Sequence, residues 1–296
     1  MGATVHIHSN MLTDDVYLVA GGAHGLGKAT AFELQELGAT VVVNDLGTGV
    51  HGEGQDEEPV EETVNHLQKK GGEAMAHFGD VCSLSYTEEL IQDTIDAYGR
   101  LDGVVNFAGI FEHVPVHEMS AEQWDDVLTV HLRGHFSLLR NSAPYWLERA
   151  DDRDRPASFV TLSSRAALGR TNQLNYVTAK AGLLGMTRGA ARELAPAVRV
   201  NSVLPSAYTR QIEALGGGMD EQEKHPRKVT PLIAYLLSAY ADEVSGRAFY
   251  AGGNEIGIYS DPALQRVAVH DSGWSVEDFR DGFDDLMGQE LGIDGQ

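Results

Sequence analysis

The chain has 296 residues, 42% of them hydrophobic, enough to bury one large α/β core without a second such domain. Its 44 acidic against 22 basic side chains give a formal net charge of −22, which repels nucleic acid and anionic membrane and excludes a polyanion-binding role. A single cysteine, Cys82, cannot form an internal disulfide, and no run is apolar enough for a secretory leader or a bilayer span, so the expected location is the cytoplasm.

Residues 1–13 read as an N-terminal extension. From Asp15 onward, short β-rich apolar runs alternate with segments of helical period. This is the pattern of an α/β domain with a doubly wound (Rossmann), mostly parallel sheet and helices on both faces, spanning residues 14–260. Seven strands are predicted, near Val16 to Ala20, Thr40 to Asp45, Ala74 to Gly79, Gly103 to Ala108, Ser158 to Ser163, Val198 to Leu204 and Ala248 to Ala251.

After the first strand the chain reads G-G-A-H-G-L-G, with Gly21, Gly25 and Gly27 around His24 and Leu26, and a helix is predicted from Lys28 to Leu37. Such glycines let backbone approach a pyrophosphate at a helix N-terminus, where free N–H groups and the dipole favour negative charge. By itself the motif is equally a tight turn; its flanking strand and helix favour the dinucleotide. The second strand ends in Asp45, 18 positions past Gly27, where a carboxylate that bonds the ribose hydroxyls of NAD is expected. That charge repels a 2′-phosphate, and His24 is a mostly neutral imidazole where arginine or lysine would favour NADP, so NAD is the expected cofactor. The alternative for Asp45 is a turn residue opening the next loop, Gly47 to Glu58, which is rich in glycine and acid and reads as exposed and mobile.

Two further strand ends add groups on the adenosine side: Asp80 with Val81, and N-F-A-G, which holds Asn106, Ala108 and Gly109. One long helix is predicted from Ala121 to about Glu148, with Ser120 as N-cap. His113 and His117 flank Pro115, and His131 and His135 have no carboxylate or cysteine beside them, so no metal site is expected.

The segment T-L-S-S-R-A-A-L-G-R-T-N-Q-L-N-Y-V-T-A-K carries Tyr176 and Lys180 four apart, after a serine pair at a strand end. On a helix that spacing puts phenol and ammonium on one face. The ammonium and a nearby positive nicotinamide favour phenolate, lowering a pKa otherwise near 10 toward working pH. A serine hydroxyl across the cleft holds the substrate oxygen where charge develops. Tyr/Lys pairs on surface helices are common, but here the parts stand in the order one site requires. Pro205 and Thr209 follow the sixth strand, and Ser206 to Arg227, holding Gly216-Gly217-Gly218, is the expected flexible cover. Residues 261–296 form an acidic extension with Trp274 and Phe279.

Together these motifs resemble the short-chain dehydrogenase/reductases over about residues 14–260. Within them V-V-V-N-D-L-G, the long loop after it, V-H-L-R-G and Q-L-N-Y-V-T-A-K are most similar to the (3R)-hydroxyacyl-CoA dehydrogenase part of peroxisomal multifunctional enzymes and their prokaryotic relatives. The resemblance implies hydride transfer between NAD(H) and a small-molecule secondary alcohol or ketone, with a 3-hydroxyacyl or 3-oxoacyl thioester as one candidate. Steroids, sugars or other alcohols are the alternative, and an NAD-binding sensor or scaffold is the non-enzymatic one.

The same resemblance assigns the chemistry to Ser164, Tyr176 and Lys180. His131 stands where an asparagine that helps hold a water-linked proton path is usual. The serine-to-tyrosine loop is one residue short, which leaves Ser163 as a rival to Ser164; the serine-pair alignment favours Ser164. The usual Pro-Gly is Pro205-Ser206 here. Arg133, Arg165 or Arg210 are candidates to meet CoA phosphates. A homodimer or homotetramer is expected, with Tyr145, Trp146, Leu183, Leu184, Phe249 and Tyr250 as candidate contacts or as core.

The acid excess also makes a statement about stability. Raising ionic strength screens self-repulsion, so the melting temperature should climb from dilute buffer to molar KCl; a transition insensitive to salt would contradict this.

Overall fold

β1 (Val16–Ala20) is buried at every position and sits inside the sheet, flanked by β2 (Thr40–Asp45) and β4 (Gly103–Asn106). A computed structural model describes residues 11–209, 213, 220–264 and 266–287. The sheet has eight strands in the order β3-β2-β1-β4-β5-β6-β7-β8, completed by β3 (Ala74–Phe78), β5 (Ala157–Leu162), β6 (Val198–Pro205), β7 (Ala248–Gly252) and β8 (Glu255–Ile258). All neighbours run parallel except β7 and β8. The doubly wound class therefore holds, with one strand more than the seven expected. β8 gives little sequence signal because it is four residues long and mostly exposed.

Helices cover both faces, which is why the inner strands read as unbroken apolar runs. Tyr17 and Val19 of β1 pack into one core with Leu34 of α1 (Gly25–Glu36) and Leu67 of α2 (Glu58–Lys69). Val16, Leu18 and Ala20 point to the other, with Leu90 of α3 (Leu84–Tyr98) and Leu138 and Trp146 of α5 (Gly134–Glu148). α6 (Leu174–Glu193) and α7 (Thr230–Leu237) complete the domain. Trp146 is fully buried with its indole N–H on Leu101 O at 2.8 Å, and Leu183 is also fully buried, so both are core rather than contacts between subunits.

The long helix predicted from Ala121 to Glu148 is divided. α4 (Ala121–Leu128) starts in a capping box between Ser120 and Gln123, as its N-cap predicted, but Thr129–Arg133 is a π-helical turn before α5. Gly134 N–H reaches back to Thr129 O, and the extra residue in the turn carries His131 inward, to 2% exposure. At the opposite end of the sheet Asp102 accepts from Val16 N, Arg100 and Arg153, while Asp15 pairs with Arg155.

The Gly47–Glu58 segment is exposed from His51 to Glu58, as expected, and is also folded on itself. Gly49 N–H donates to Glu53 O, Gly52 N–H to Gly49 O and Asp56 N–H to Leu46 O. The expected cover at Ser206–Arg227 falls partly on residues 210–212 and 214–219, which lie outside the described residues, as does Arg210. Contacts divide the chain into two units, 1–259 and 260–296. In the second, α8 (Val276–Met287) brings Phe279 and Phe283 into a run of rings with Trp274 and His270.

Candidate active site

The strand order reverses between β1 and β4, and a cleft of about 460 Å³ opens at the carboxyl ends of the strands there, as open α/β sheets arrange it. Its floor is the glycine turn. Gly21 has φ +67°, and a Cβ there would sit 2.4 Å from Ala108 N; a Cβ on Gly27 would sit 2.1 Å from Gly21 O. Neither position admits a side chain, so the turn packs backbone to backbone and α1 presents its first amides to the cleft.

Gly25, His24, Leu26 and Thr209 line the same cleft, with Pro205 at the end of β6. Asp45 lines it too, and both its oxygens already accept backbone N–H groups, Ala23 at 2.9 Å and Gly47 at 2.8 Å. It is therefore at once a cleft residue and the turn former that opens the next loop. Asp80 accepts from Cys82 N at 2.8 Å, and Val81 is buried beside it. Asn106 closes the turn as expected, but from inside the fold. It is fully buried and takes no place in the cleft wall; its Oδ1 accepts from Ala108 N at 2.9 Å and so shapes the turn that Ala108 and Gly109 present.

Tyr176 and Lys180 share one wall. Lys180 Nζ lies 5.3 Å from the Tyr176 ring centroid and donates to Leu162 O at 2.7 Å. Burial pushes the amine down to about 7. Ser163 is buried, lines the cleft and donates its hydroxyl to Lys180 O at 2.7 Å, whereas the Ser164 hydroxyl accepts from Ala166 N and lowers the pKa of the Tyr176 phenol. Successive side chains leave the strand end on opposite sides, so Ser163, bonded to the helix, and Ser164, which acts on the phenol's pKa, differ in surroundings.

Tyr176 corrects one expectation. Burial raises its pKa above 10, against a lowering by the Ser164 bond and by the charge of Arg170; the Lys180 ammonium is not among the causes. The phenol is packed edge-on by Phe111 (5.4 Å) and His131 (5.2 Å), and the amine is turned to Leu162 O, so desolvation outweighs the neighbouring charge. His131 Nε2–H donates to Ile110 O at 2.8 Å, while burial first and then Lys180 push its pKa well below the ordinary range. His135 follows it, held at about 3 by burial, with Nδ1–H on His131 O and Nε2 accepting from Leu162 N. Both imidazoles are neutral at physiological pH.

Several cleft residues escaped sequence reasoning. Leu46 and Thr48 to Gly52 bring the folded loop to the cleft, and Phe111 joins the rings around Tyr176. Their signal is three-dimensional, apart from the glycines that allow the loop to fold. Cys82 also lines the cleft, its thiol on Thr129 O at 3.6 Å and its pKa pushed up by burial. Arg133 is engaged with Cys82 O at 3.0 Å, and Arg165 lies 5.9 Å from the Tyr250 ring.

A doubly wound sheet whose switch-point cleft combines a glycine turn with a Ser-Tyr-Lys wall defines a class of protein, and the comparisons narrow it. Residues 15–214 match the short chain dehydrogenase family, and the chain belongs to it. It is 37% identical over 266 residues to the hydroxyacyl-CoA dehydrogenase ChsB1 of Mycobacterium tuberculosis, covering 86% of this chain and 82% of that one. It is 33% identical over 243 residues to the peroxisomal multifunctional enzyme type 2 of Mus musculus, covering 82% of this chain but 32% of the longer protein. A short chain dehydrogenase structure from Shigella flexneri, in complex with NADP, aligns with a TM-score of 0.72 and 26% identity over 82% of this chain and 98% of that one. The chain is an oxidoreductase acting on CH–OH groups.

The buried amine sets a pH dependence. An unfolded lysine keeps its proton to about 10.5, whereas Lys180 gives it up near 7 when folded. Between these values the unfolded chain binds the extra proton, so this residue disfavours folding fully below 7 and less and less as pH rises. The melting temperature of Lys180→Met relative to the wild type should thus be highest at about pH 6 and decline toward about pH 10. A difference constant across that range would contradict the buried-amine reading.

Proposed function

We propose that this chain transfers a hydride between NAD(H) and a secondary alcohol or ketone, with a 3-hydroxyacyl or 3-oxoacyl thioester as the substrate. The observation that carries the reading is a cleft wall on which Lys180 Nζ stands 5.3 Å from the Tyr176 ring, in the same cleft as a glycine turn that admits no side chain at Gly21 or Gly27. The hydroxyacyl-CoA dehydrogenase name of a 37% identical relative supports the thioester.

The glycine turn fits a dinucleotide, since backbone packs on backbone at Gly21 and Gly27 and leaves the start of α1 at the cleft, where free amides favour a pyrophosphate. Gly21, Gly25, Leu26 and Gly27 would hold the pyrophosphate, Asp80 and Val81 the adenine, and Pro205 and Thr209 the carboxamide end. Ala108 and Gly109, shaped by Asn106, would back the adenosine. Asp45, with His24 beside the same cleft, favours NAD over NADP, because a carboxylate at the strand end repels a 2′-phosphate. The bound nicotinamide supplies the carbon that gives or receives hydride.

Ser164 positions the reacting oxygen of the substrate, and Tyr176 exchanges a proton with it. With its pKa raised, the phenol keeps its proton at neutral pH and is ready to protonate a carbonyl oxygen during reduction. Oxidation requires the phenol to ionise first, which rising pH favours. Lys180 would bond the cofactor ribose once turned from Leu162 O. His131, held as the Nε2–H tautomer by Ile110 O, presents an Nδ1 lone pair beside Tyr176 and serves in the proton path in place of the usual asparagine. Exposed Phe136 and Leu147 on α5 support a homodimer or homotetramer, and the single cysteine supports a cytoplasmic location.

Tyr176→Phe should lower turnover by about 10²- to 10⁴-fold while NADH titration still reports binding. Substantial residual activity on 3-oxoacyl-CoA, steroid and sugar panels alike would remove Tyr176 from this role. Separately, Asp45→Ser should move the ratio of NADP to NAD affinity toward NADP, measured by calorimetry; an unchanged ratio would place cofactor choice elsewhere.

A further inference from the structure

We propose that His51 is a positioning residue for this reaction: it fastens residues 46–56 across the dinucleotide cleft to Phe111, so that one contact both encloses the cofactor and seats Tyr176. The proposal rests on the hydride-transfer reading above and adds to it a role for a segment that the catalytic residues leave unexplained.

The path of the segment is set by topology. It leaves the end of β2 at Asp45 and is fastened beyond the end of β4, at Phe111. β1 lies between these strands, so the segment spans two interstrand steps, about 10 Å, over the end of the strand that bears the Gly21–Gly27 turn. Leu46 to Val50 are half-buried, and Leu46 and Thr48 to Gly52 face the cleft that the turn and Asp45 also line.

Its glycines are there for shape. Gly47 has φ +67°, and a Cβ on it would meet Asp56 O at 1.8 Å; Gly52 has φ +90° and approaches Ile110, where a Cβ would stand 3.1 Å from Cγ2. The G-T-G-V-H-G-E-G run thus closes on itself and comes down on the segment after β4.

Two hydrogen bonds make the fastening. Phe111 N–H donates to Val50 O at 3.1 Å, and His51 Nδ1 lies 2.8 Å from Phe111 O. A carbonyl only accepts, so Nδ1 carries the hydrogen. From Phe111 the contact continues inward. The Phe111 ring meets Tyr176 edge-on at 5.4 Å, and Ile110 O holds the Nε2–H of His131, whose ring meets Tyr176 at 5.2 Å. Residues 110 and 111 are therefore one wall, with the strap on its outer side and the rings that fix the phenol on its inner side.

The test compares two substitutions. His51→Asn keeps an N–H at the same distance along the side chain, and His51→Phe keeps the ring and loses the donor. Three quantities are read in the full chain: amide exchange at Phe111 without NADH, the NADH dissociation rate by stopped flow, and kcat. For His51→Phe, Phe111 exchange and NADH release should each rise about three- to ten-fold, the range of one net hydrogen bond, and kcat should fall. His51→Asn should remain near the wild type in all three. Wild-type behaviour in both variants, or equal impairment in both, would overturn the proposal, because the donor would then not matter. A wild type that takes up no NADH would refute the functional reading and the strap's enclosing role with it, while Phe111 exchange, read without NADH, still judges the fastening itself.

Discussion

The active wall is built on a reciprocal pair of hydrogen bonds between the end of β5 and the second turn of α6. Lys180 Nζ donates to Leu162 O, and Ser163 donates to Lys180 O, each at 2.7 Å. These bonds lock helix to strand at one height and rotation. Tyr176, one turn earlier on α6, and Ser164, one residue later on the chain, are thereby held near enough for Ser164 to lower the phenol's pKa. The pairing also gives the two adjacent serines separate duties, one holding the helix and one facing the phenol.

That division was beyond reach of the sequence, where the two serines differ only by alternation and the strand's end is the least certain part. The inner strands were legible because burial on both faces leaves an unbroken apolar run, as in T-V-V-V-N-D. The glycine turn was legible because its spacing sits between a strand and a helix. β8 was not, being short and exposed, and neither was the π-helical turn, whose residues keep a helical pattern while the backbone gains one residue. The family resemblance named Ser164, Tyr176, Lys180 and His131 together, but the phenol's raised pKa depends on which rings surround it, and Phe111 stands far from Tyr176 along the chain. Asn106 shows the same limit in reverse: its place at a strand end was legible, its inward-facing bond to Ala108 was not.

The interior of the cleft contrasts with the surface. Over the whole chain acid outnumbers base two to one; inside, Lys180 is held near 7 and both His131 and His135 are kept neutral by burial. A wall of weakly charged or uncharged bases transmits little field of its own. A charge arriving with a ligand then acts on the phenol with little competition from these three bases. The surface acids, in contact with water and salt, contribute far less at that depth.

Cys82 lies on the cleft wall with its thiol against a main-chain oxygen and its ionisation suppressed. Alkylating and disulfide-forming reagents act on thiolate, so the native fold presents them with almost no target. A cysteine introduced anywhere on the outside would consequently be the one reactive sulfhydryl in the folded molecule, and a spectroscopic tag could be attached there without first removing the natural one.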